Sequence, residues 1–364
     1  MAFSIKNSPA VILKSLIRKE IVLGAFVIVL LYIVFFTINN NSAGGQGLDV
    51  TDQLTQHRRK EPNFIQTLLT ADVSDAPTKD NGIFFHETSH FGKAGISFTI
   101  RQACAVESAA RMNPNREVYL LVLNESKIAR DAEETVNILL SYRNIKIRRI
   151  FVEDYVKNTL LQEWWGPNIL NNSDYPTHHM ADILRFITLW KYGGIYLDLD
   201  VLVMKSLEGL RNFAGVEDWS CVAAGVLGFA TDAPGRRVAE ACLRELKTDF
   251  RSNMWSYNGP GVITRVLKNI CNTETIPDMT PEICQGFRVY PPHAFYPIHY
   301  QQWKLYFTEE FNELTMQKIQ NAFAIHTWNK LSSEEIIPAG SQAPYAIIAN
   351  QYCPKIYRHS GDFF

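Results

Sequence analysis

The chain carries almost no net charge. Its 36 lysines and arginines against 37 aspartates and glutamates leave a formal charge of −1. A nucleic-acid-binding face wants a basic surplus, so no nucleic-acid partner is expected. No Cys-x-x-Cys pair occurs, which argues against a zinc ribbon and a thioredoxin-type redox site. No internal repeat is visible, so a stacked-repeat architecture is set aside. Residues 21–38, IVLGAFVIVLLYIVFFTI, lack charge altogether. An apolar run of that length is just enough to cross a bilayer, and a core helix would normally show a polar stripe. The run ends in Phe35, Phe36, Thr37 and Ile38 with no small-x-small cleavage site directly after it. That ending favours an uncleaved anchor over a signal peptide.

Charge around the run sets its direction. Lys6, Lys14, Arg18 and Lys19 precede it with only Glu20 opposing, and residues 39–48 are uncharged. Positive flanks stay cytoplasmic, so the expected order is a cytoplasmic tail (1–20), a transmembrane signal anchor (21–38), a polar, turn-rich stem (39–80) and a lumenal domain (81–364). All six cysteines lie beyond the anchor, as disulfides in an oxidising compartment would, although several could be buried free thiols. Cys271 and Cys284 are close enough in sequence to pair. The sequons at Asn124 and Asn171 face the side where glycosylation occurs. A third, at Asn40, lies too near the membrane to expect much use.

The rest of the chain, in a protein that is 46% apolar, can bury a substantial core. GIFFHETS reads as a buried strand ending in polar residues. FTIRQACAVESAARM (98–112) has helical spacing, and VYLLVL (118–123) is the continuous apolar run of a central parallel strand. A helix at 128–141, a strand at 145–152 and a helix at 176–192, stopped by Gly193-Gly194, continue the alternation. Strands alternating with helices predict a layered α/β sheet. His178 and His179 are adjacent on that last helix and so diverge, which favours solvent exposure or capping over a metal pair.

KYGGIYLDLDVLV (191–203) then sets Asp198 and Asp200 at spacing two. On one strand they would share a face, and two buried carboxylates without a partner are costly. A divalent cation relieves that cost. Three readings stay open on the triplet: a glycosyltransferase site in which the cation neutralises a nucleotide diphosphate, a phosphohydrolase, and a non-catalytic, cation-dependent glycan-binding module. Leu202 breaks the phosphohydrolase pattern Asp-x-Asp-x-[Thr/Val]. Asp182 and Arg185, three apart on the preceding helix, form one face that can orient sugar hydroxyls and compensate phosphate charge. An ordinary helix pair would look the same. Asn258, Gly259 and Pro260 form a turn in which Gly259 permits close backbone approach to a ligand, or simply caps a helix beginning at Pro260.

ADILRFITLWKYGGIYLDLD resembles the DxD signature of glycosyltransferase family 32, which groups animal alpha-1,4-galactosyltransferases and alpha-1,4-N-acetylgalactosaminyltransferases with mannosyltransferases and large clostridial glucosylating toxins. NGPGVITRVLKNIC, YPPHAFYPIHYQQW, AIHTWNK and QYCP resemble the C-terminal region of its animal alpha-1,4 members. The likeness runs from about Gly82 to Pro354. It implies a GT-A nucleotide-sugar-binding fold in a single lumenal domain behind an N-terminal transmembrane helix, on the Golgi membrane. It implies retaining transfer of galactose or N-acetylgalactosamine from UDP-galactose or UDP-N-acetylgalactosamine to a glycosphingolipid acceptor, with Mn2+ as cofactor. Complexes with other Golgi glycosyltransferases are the further partners it implies. By resemblance, Asp198, Asp200 and His326 hold the metal; imidazole with carboxylates suits manganese. Asp182, Arg185, His86, Glu87, Thr88, Asn258 and Gly259 lie on the donor sugar or nucleotide, and Trp328 offers an acceptor platform or lid. No carboxylate is identified as a nucleophile.

Overall fold

The computed structural model describes residues 77–89, 96–123 and 128–364. The anchor at 21–38, the stem up to residue 76 and the sequon at Asn124 lie outside them. Among the described residues no helix is long and apolar enough to cross a membrane.

The described residues form an α/β fold around a mixed sheet of seven strands. β1 (Gly82–Glu87), β2 (Glu117–Leu123), β3 (Ile145–Ile150) and β4 (Gly194–Leu197) run parallel in the order β3-β2-β1-β4. β6 (Phe213–Asp218) and β7 (Cys221–Phe229) extend the sheet antiparallel, with β7 next to β4, and β8 (Arg288–Tyr290) pairs parallel with β6 at the edge. The expected strand at 145–152 stops at Ile150, because Val152 opens a short helix.

Period-two alternation explains why the central strands read as unbroken apolar runs. Ile83 and Phe85 of β1 and Val118, Leu120 and Val122 of β2 enter one core. Phe84, Tyr119 and Leu121 enter the core on the other face. A strand covered on both faces has no solvent side to carry polar residues.

The first face is covered by α1 (Ile100–Met112) and α2 (Glu133–Leu140). The second is covered by α3 (Pro176–Tyr192), α4 (Gly235–Thr248) and α5 (Pro260–Cys271). Thr99 and Gln102 form a capping box at the start of α1, which trims the expected helix from residue 98 to Ile100. α3 ends at Gly193 and Gly194, both at positive φ. A Cβ on Gly194 would lie 2.3 Å from the carbonyl oxygen of Gly82, so this pair both stops the helix and lets β4 lie against β1.

Two disulfides form among the described residues, Cys271–Cys284, as expected, and Cys104–Cys353. Cys221 and Cys242 are free thiols, so the even count does not translate into complete pairing. The Cys104–Cys353 bond ties α1 to the junction of α6 (Pro344–Tyr352) and α7 (Pro354–His359). Beside it the buried carboxylate of Glu107 accepts the backbone N–H groups of Lys355 (3.0 Å) and Ile356 (2.8 Å). The QYCP motif therefore marks a helix start with Pro354 in its first turn, capped by an acid from another helix.

Candidate metal and donor-sugar site

The strand expected to carry both aspartates ends before either of them. β4 stops at Leu197, Asp198 follows it, and Leu199 and Asp200 lie in a turn closed by Val201 N–H donating to Asp198 O at 2.9 Å. The chain then enters β5 (Val201–Val203), which leaves the main sheet and pairs antiparallel with β9 (Ala324–His326). The two carboxylates converge through this turn, not through alternation along one strand. They still sit at the carboxyl edge of the parallel strands, where α/β sheets gather ligands.

The β5–β9 register places His326 opposite Val201, next to Asp200. His326 Nε2 is 3.2 Å from Asp200 Oδ1 and 4.0 Å from Asp198 Oδ2. Ligand atoms of all three residues lie within 4.8 Å of one another. The chain continues through Trp328, in the left-handed region at φ 58. This turn lets Asn329 N–H donate to Asp200 Oδ2 at 2.9 Å. Trp328 N–H donates to His326 Nδ1 at 3.2 Å; a cation at Nε2 asks for the other tautomer and competes with that bond.

A second layer holds Asp198. Tyr196 OH donates to its Oδ1 at 2.7 Å, and Arg185 Nη1 lies 3.3 Å from the same oxygen. Arg185 also donates to Ala224 O at 2.7 Å, pairs with Asp182 at 3.2 Å and stacks over the Tyr196 ring at 4.7 Å. Arg185 and Asp182 have side chains only 7% and 6% exposed, against 28% for Asp198. The Asp182–Arg185 pair is thus sealed beneath the reactive surface, and its direct contact within the cluster is with Asp198.

Electrostatics follow from this burial. Burial works against ionising Asp198, yet Arg185, His326 and the Tyr196 hydroxyl hold its pKa below the ordinary value. Asp200 is raised, first by burial and then by Asp198, with His326 opposing. Asp182 is pushed up to about 7, mainly by burial. Nearby carboxylates under-compensated by one guanidinium and one imidazole make a site that a divalent cation completes. The oxygen and nitrogen donors present fit such an ion.

The remaining expected residues take varied places. His86, Glu87 and Thr88 end β1 at the same edge of the sheet. His86 is buried, with Nε2 3.0 Å from Thr188 Oγ1 and its ring 5.1 Å from that of Tyr196. Burial, reinforced by Arg185, drives its pKa down to about 3. Glu87 accepts from Gln102 Nε2 and Ser89, and Thr88 donates to Thr177 O. Asn258 is fully buried and exchanges two hydrogen bonds with the Arg251 backbone. Gly259 precedes Pro260 at the start of α5, and a Cβ there would lie 2.1 Å from Asp182 Oδ1. The close approach it permits is to that carboxylate. Trp328 is half-buried, its ring 4.2 Å from that of His326 and its Nε1 donating to Ile298 O at 2.9 Å. Asn171 is exposed at the end of a short helix.

His179 departs from expectation. It is fully buried, with Nδ1 2.7 Å from Ser173 Oγ and Nε2 3.1 Å from Met254 O. Met254 is too far along the chain to be foreseen, and nothing local marks Ser173 as the other partner.

Three contributors escaped the sequence. Tyr196 sits two positions before Asp198, so strand alternation could have flagged it. Gly225 lies inside the apolar run CVAAGVLGF; a Cβ there would fall 2.7 Å from Asp198 Oδ2 and 3.0 Å from Tyr296 OH. A glycine in a strand interior is the signal for such an approach. Tyr296 is buried and its hydroxyl has no hydrogen-bond partner; nothing in YPPHAFYPIHYQQW distinguishes it.

Comparison with known proteins gives two family matches over successive stretches of the chain. Residues 99–217 match "glycosyltransferase sugar-binding region containing DXD motif" and residues 231–360 match "alpha 1,4-glycosyltransferase conserved region". The chain is 31% identical to lactosylceramide 4-alpha-galactosyltransferase of Rattus norvegicus over 278 residues, covering 76% of this chain and 75% of that protein. It is 25% identical to human alpha-1,4-N-acetylglucosaminyltransferase over 261 residues, covering 70% and 75%. Among solved structures, the PaToxG glycosyltransferase is 13% identical with a TM-score of 0.39, covering 83% of this chain and 94% of that one.

Proposed function

The chain belongs to the DXD-containing alpha-1,4-glycosyltransferases, and we propose that it is a retaining, membrane-anchored enzyme of glycosphingolipid synthesis with a GT-A-type fold. It transfers a hexose from a UDP-sugar, in alpha-1,4 linkage, to the terminal sugar of a lactosylceramide-like acceptor. The names of its relatives bring UDP-N-acetylglucosamine into consideration beside UDP-galactose and UDP-N-acetylgalactosamine. The catalytic domain works in the Golgi lumen behind a single-pass type II anchor at residues 21–38.

One observation carries the chemistry: Asp198, Asp200 and His326 bring three ligand atoms within 4.8 Å at the carboxyl edge of the sheet. These residues would hold a divalent cation, manganese being the one their donor set suits. When bound, such an ion neutralises the diphosphate of the departing UDP. The chain's own residues prepare the site. Arg185 fixes Asp198 and adds positive charge below it. Tyr196 fixes the same oxygen from the strand. Asn329 N–H and His326 fix Asp200. Asp182 completes the Arg185 pair from beneath the site, with Gly259 leaving room for its carboxylate, while the end of β1 at His86, Glu87 and Thr88 lies at the same edge of the sheet to flank the nucleotide.

The test is a panel of UDP-hexoses with Mn2+ and glycolipid acceptors. The expected result is an alpha-1,4 product from one donor, and a loss of about 10²-fold or more in Asp200→Ala. Full turnover in Asp200→Ala would remove the cation account. No turnover with any UDP-hexose would remove the transferase itself.

A further inference from the structure

A second group of carboxylates and an imidazole lies outside the cation cluster. Ligand atoms of Glu217, Asp218 and His299 fall within 4.8 Å of one another, and His299 Nε2 is 3.4 Å from Asp218 Oδ2. Consecutive residues on a regular strand point to opposite faces. Here the β6–β7 register shifts between Val216 and Asp218. Such irregularities re-aim side chains, and this one coincides with Glu217 and Asp218 joining a single group.

Aromatic rings connect the two groups. The His326 ring is 4.2 Å from Trp328, Trp328 is 6.1 Å from Tyr300 edge-on, and Tyr300 is 4.2 Å from His299. Tyr300 is 38% exposed. The Tyr296 ring is 5.9 Å from that of Trp328 and 5.5 Å from that of His326. Its buried hydroxyl is unpartnered. The Cβ position of Gly225 lies 3.0 Å from this hydroxyl and 2.7 Å from Asp198 Oδ2, so the unpaired phenol borders the inner carboxylate, where a polar ligand would complete it.

We propose that the strip of Trp328, Tyr300 and His299, edged by Glu217 and Asp218, is the platform for the neutral terminal saccharide of the acceptor. The proposal rests on the transferase reading of the adjoining cation cluster. A sugar presents an apolar face of C–H groups and an edge of hydroxyls. The exposed Tyr300 ring beside the half-buried Trp328 suits the first, and carboxylates accepting charge-assisted hydrogen bonds suit the second. Two carboxylates against one imidazole leave an acidic rim that repels phosphate, sulfate and sialyl groups, so the saccharide is uncharged. The strip begins at the ring packed on His326, which places the bound sugar beside the donor.

The test uses the full chain with UDP and Mn2+ present and a soluble lactosyl acceptor as probe. Calorimetric titration gives the lactoside affinity, and steady-state kinetics give separate KM values for acceptor and UDP-hexose. Tyr300→Ala and Asp218→Asn are expected to weaken lactoside binding and raise the acceptor KM by about tenfold each, with the donor KM not following. Tyr300→Phe, which keeps the ring, should restore most of the affinity. A sialylated lactoside should bind more weakly than the neutral one. Unchanged acceptor KM in both variants, or equal binding of the sialylated probe, overturns the platform. So does loss of a bound Mn2+ equivalent in Asp218→Asn, which would make the outer group a cation site. The two readings separate cleanly. A wild-type chain that transfers hexose while the variants keep their acceptor KM retains the transferase and loses the platform. A wild-type chain that binds the lactoside but turns over no UDP-hexose does the reverse.

Discussion

His86 shows what burial beneath a charged site does to a single residue. Its pKa is about 3 against an ordinary 6.5, first because it is buried and then because Arg185 is near. Between those values the unfolded chain takes up a proton that the folded chain refuses. The stability contributed by neutral His86 is therefore full above pH 6.5 and is lost as pH falls toward 3. Asp182 acts in the opposite sense, because its pKa is raised to about 7, so the whole protein hides the effect. Comparison with His86→Gln isolates it. Chemical denaturation from pH 6 to pH 4 should show the wild type losing about 1.4 kcal/mol per pH unit relative to the variant. A constant difference would mean that His86 is not held neutral. At this scale the sequence was informative where chemistry is local. Asp198 and Asp200 were legible from their spacing and His326 from the family resemblance, whereas the place of Tyr296 beside them depends on a fold that brings residue 296 to residue 326.

The turn after β4 is the element on which the site depends. Period-two reasoning placed both aspartates on one strand, and the structure instead spends Leu199 and Asp200 on a turn into β5. The spacing could not reveal this, because an apolar run continues through Val201–Val203 on the far side. β7 supplies the space that Asp198 occupies through Gly225. Gly225→Ala would put a methyl 2.7 Å from Asp198 Oδ2 and 3.0 Å from Tyr296 OH. Overpacking of this kind costs about 1–3 kcal/mol of stability. The larger effect should fall on the cation, with apparent Mn2+ affinity down by about tenfold or more as Asp198 is displaced. Thermal melts and Mn2+ titrations of donor turnover measure the two together. An unchanged Mn2+ dependence would show that Asp198 can move without consequence.

For the whole molecule, the layered α/β arrangement was legible because buried parallel strands announce themselves as apolar runs between amphipathic helices. Cys271–Cys284, closing a short loop, was legible as well; Cys104–Cys353, with a sequence separation of 249, was not. Nothing local marks the partner of Cys104, since the pair forms only when the C-terminal helices pack on α1. The β5–β9 pair has the same long reach, because Asp200 and His326 are separated by more than a hundred residues that include β6, β7, α4 and α5. Contacts so remote must await loop closure and are intrinsically slow to form. Secondary structure should therefore return early during refolding and cation binding late, which stopped-flow dichroism paired with a Mn2+-sensitive signal would resolve; coincident phases would refute it. The cluster of Asp198, Asp200 and His326 would thus serve as a certificate of completed folding, absent from any chain arrested before β5 and β9 meet.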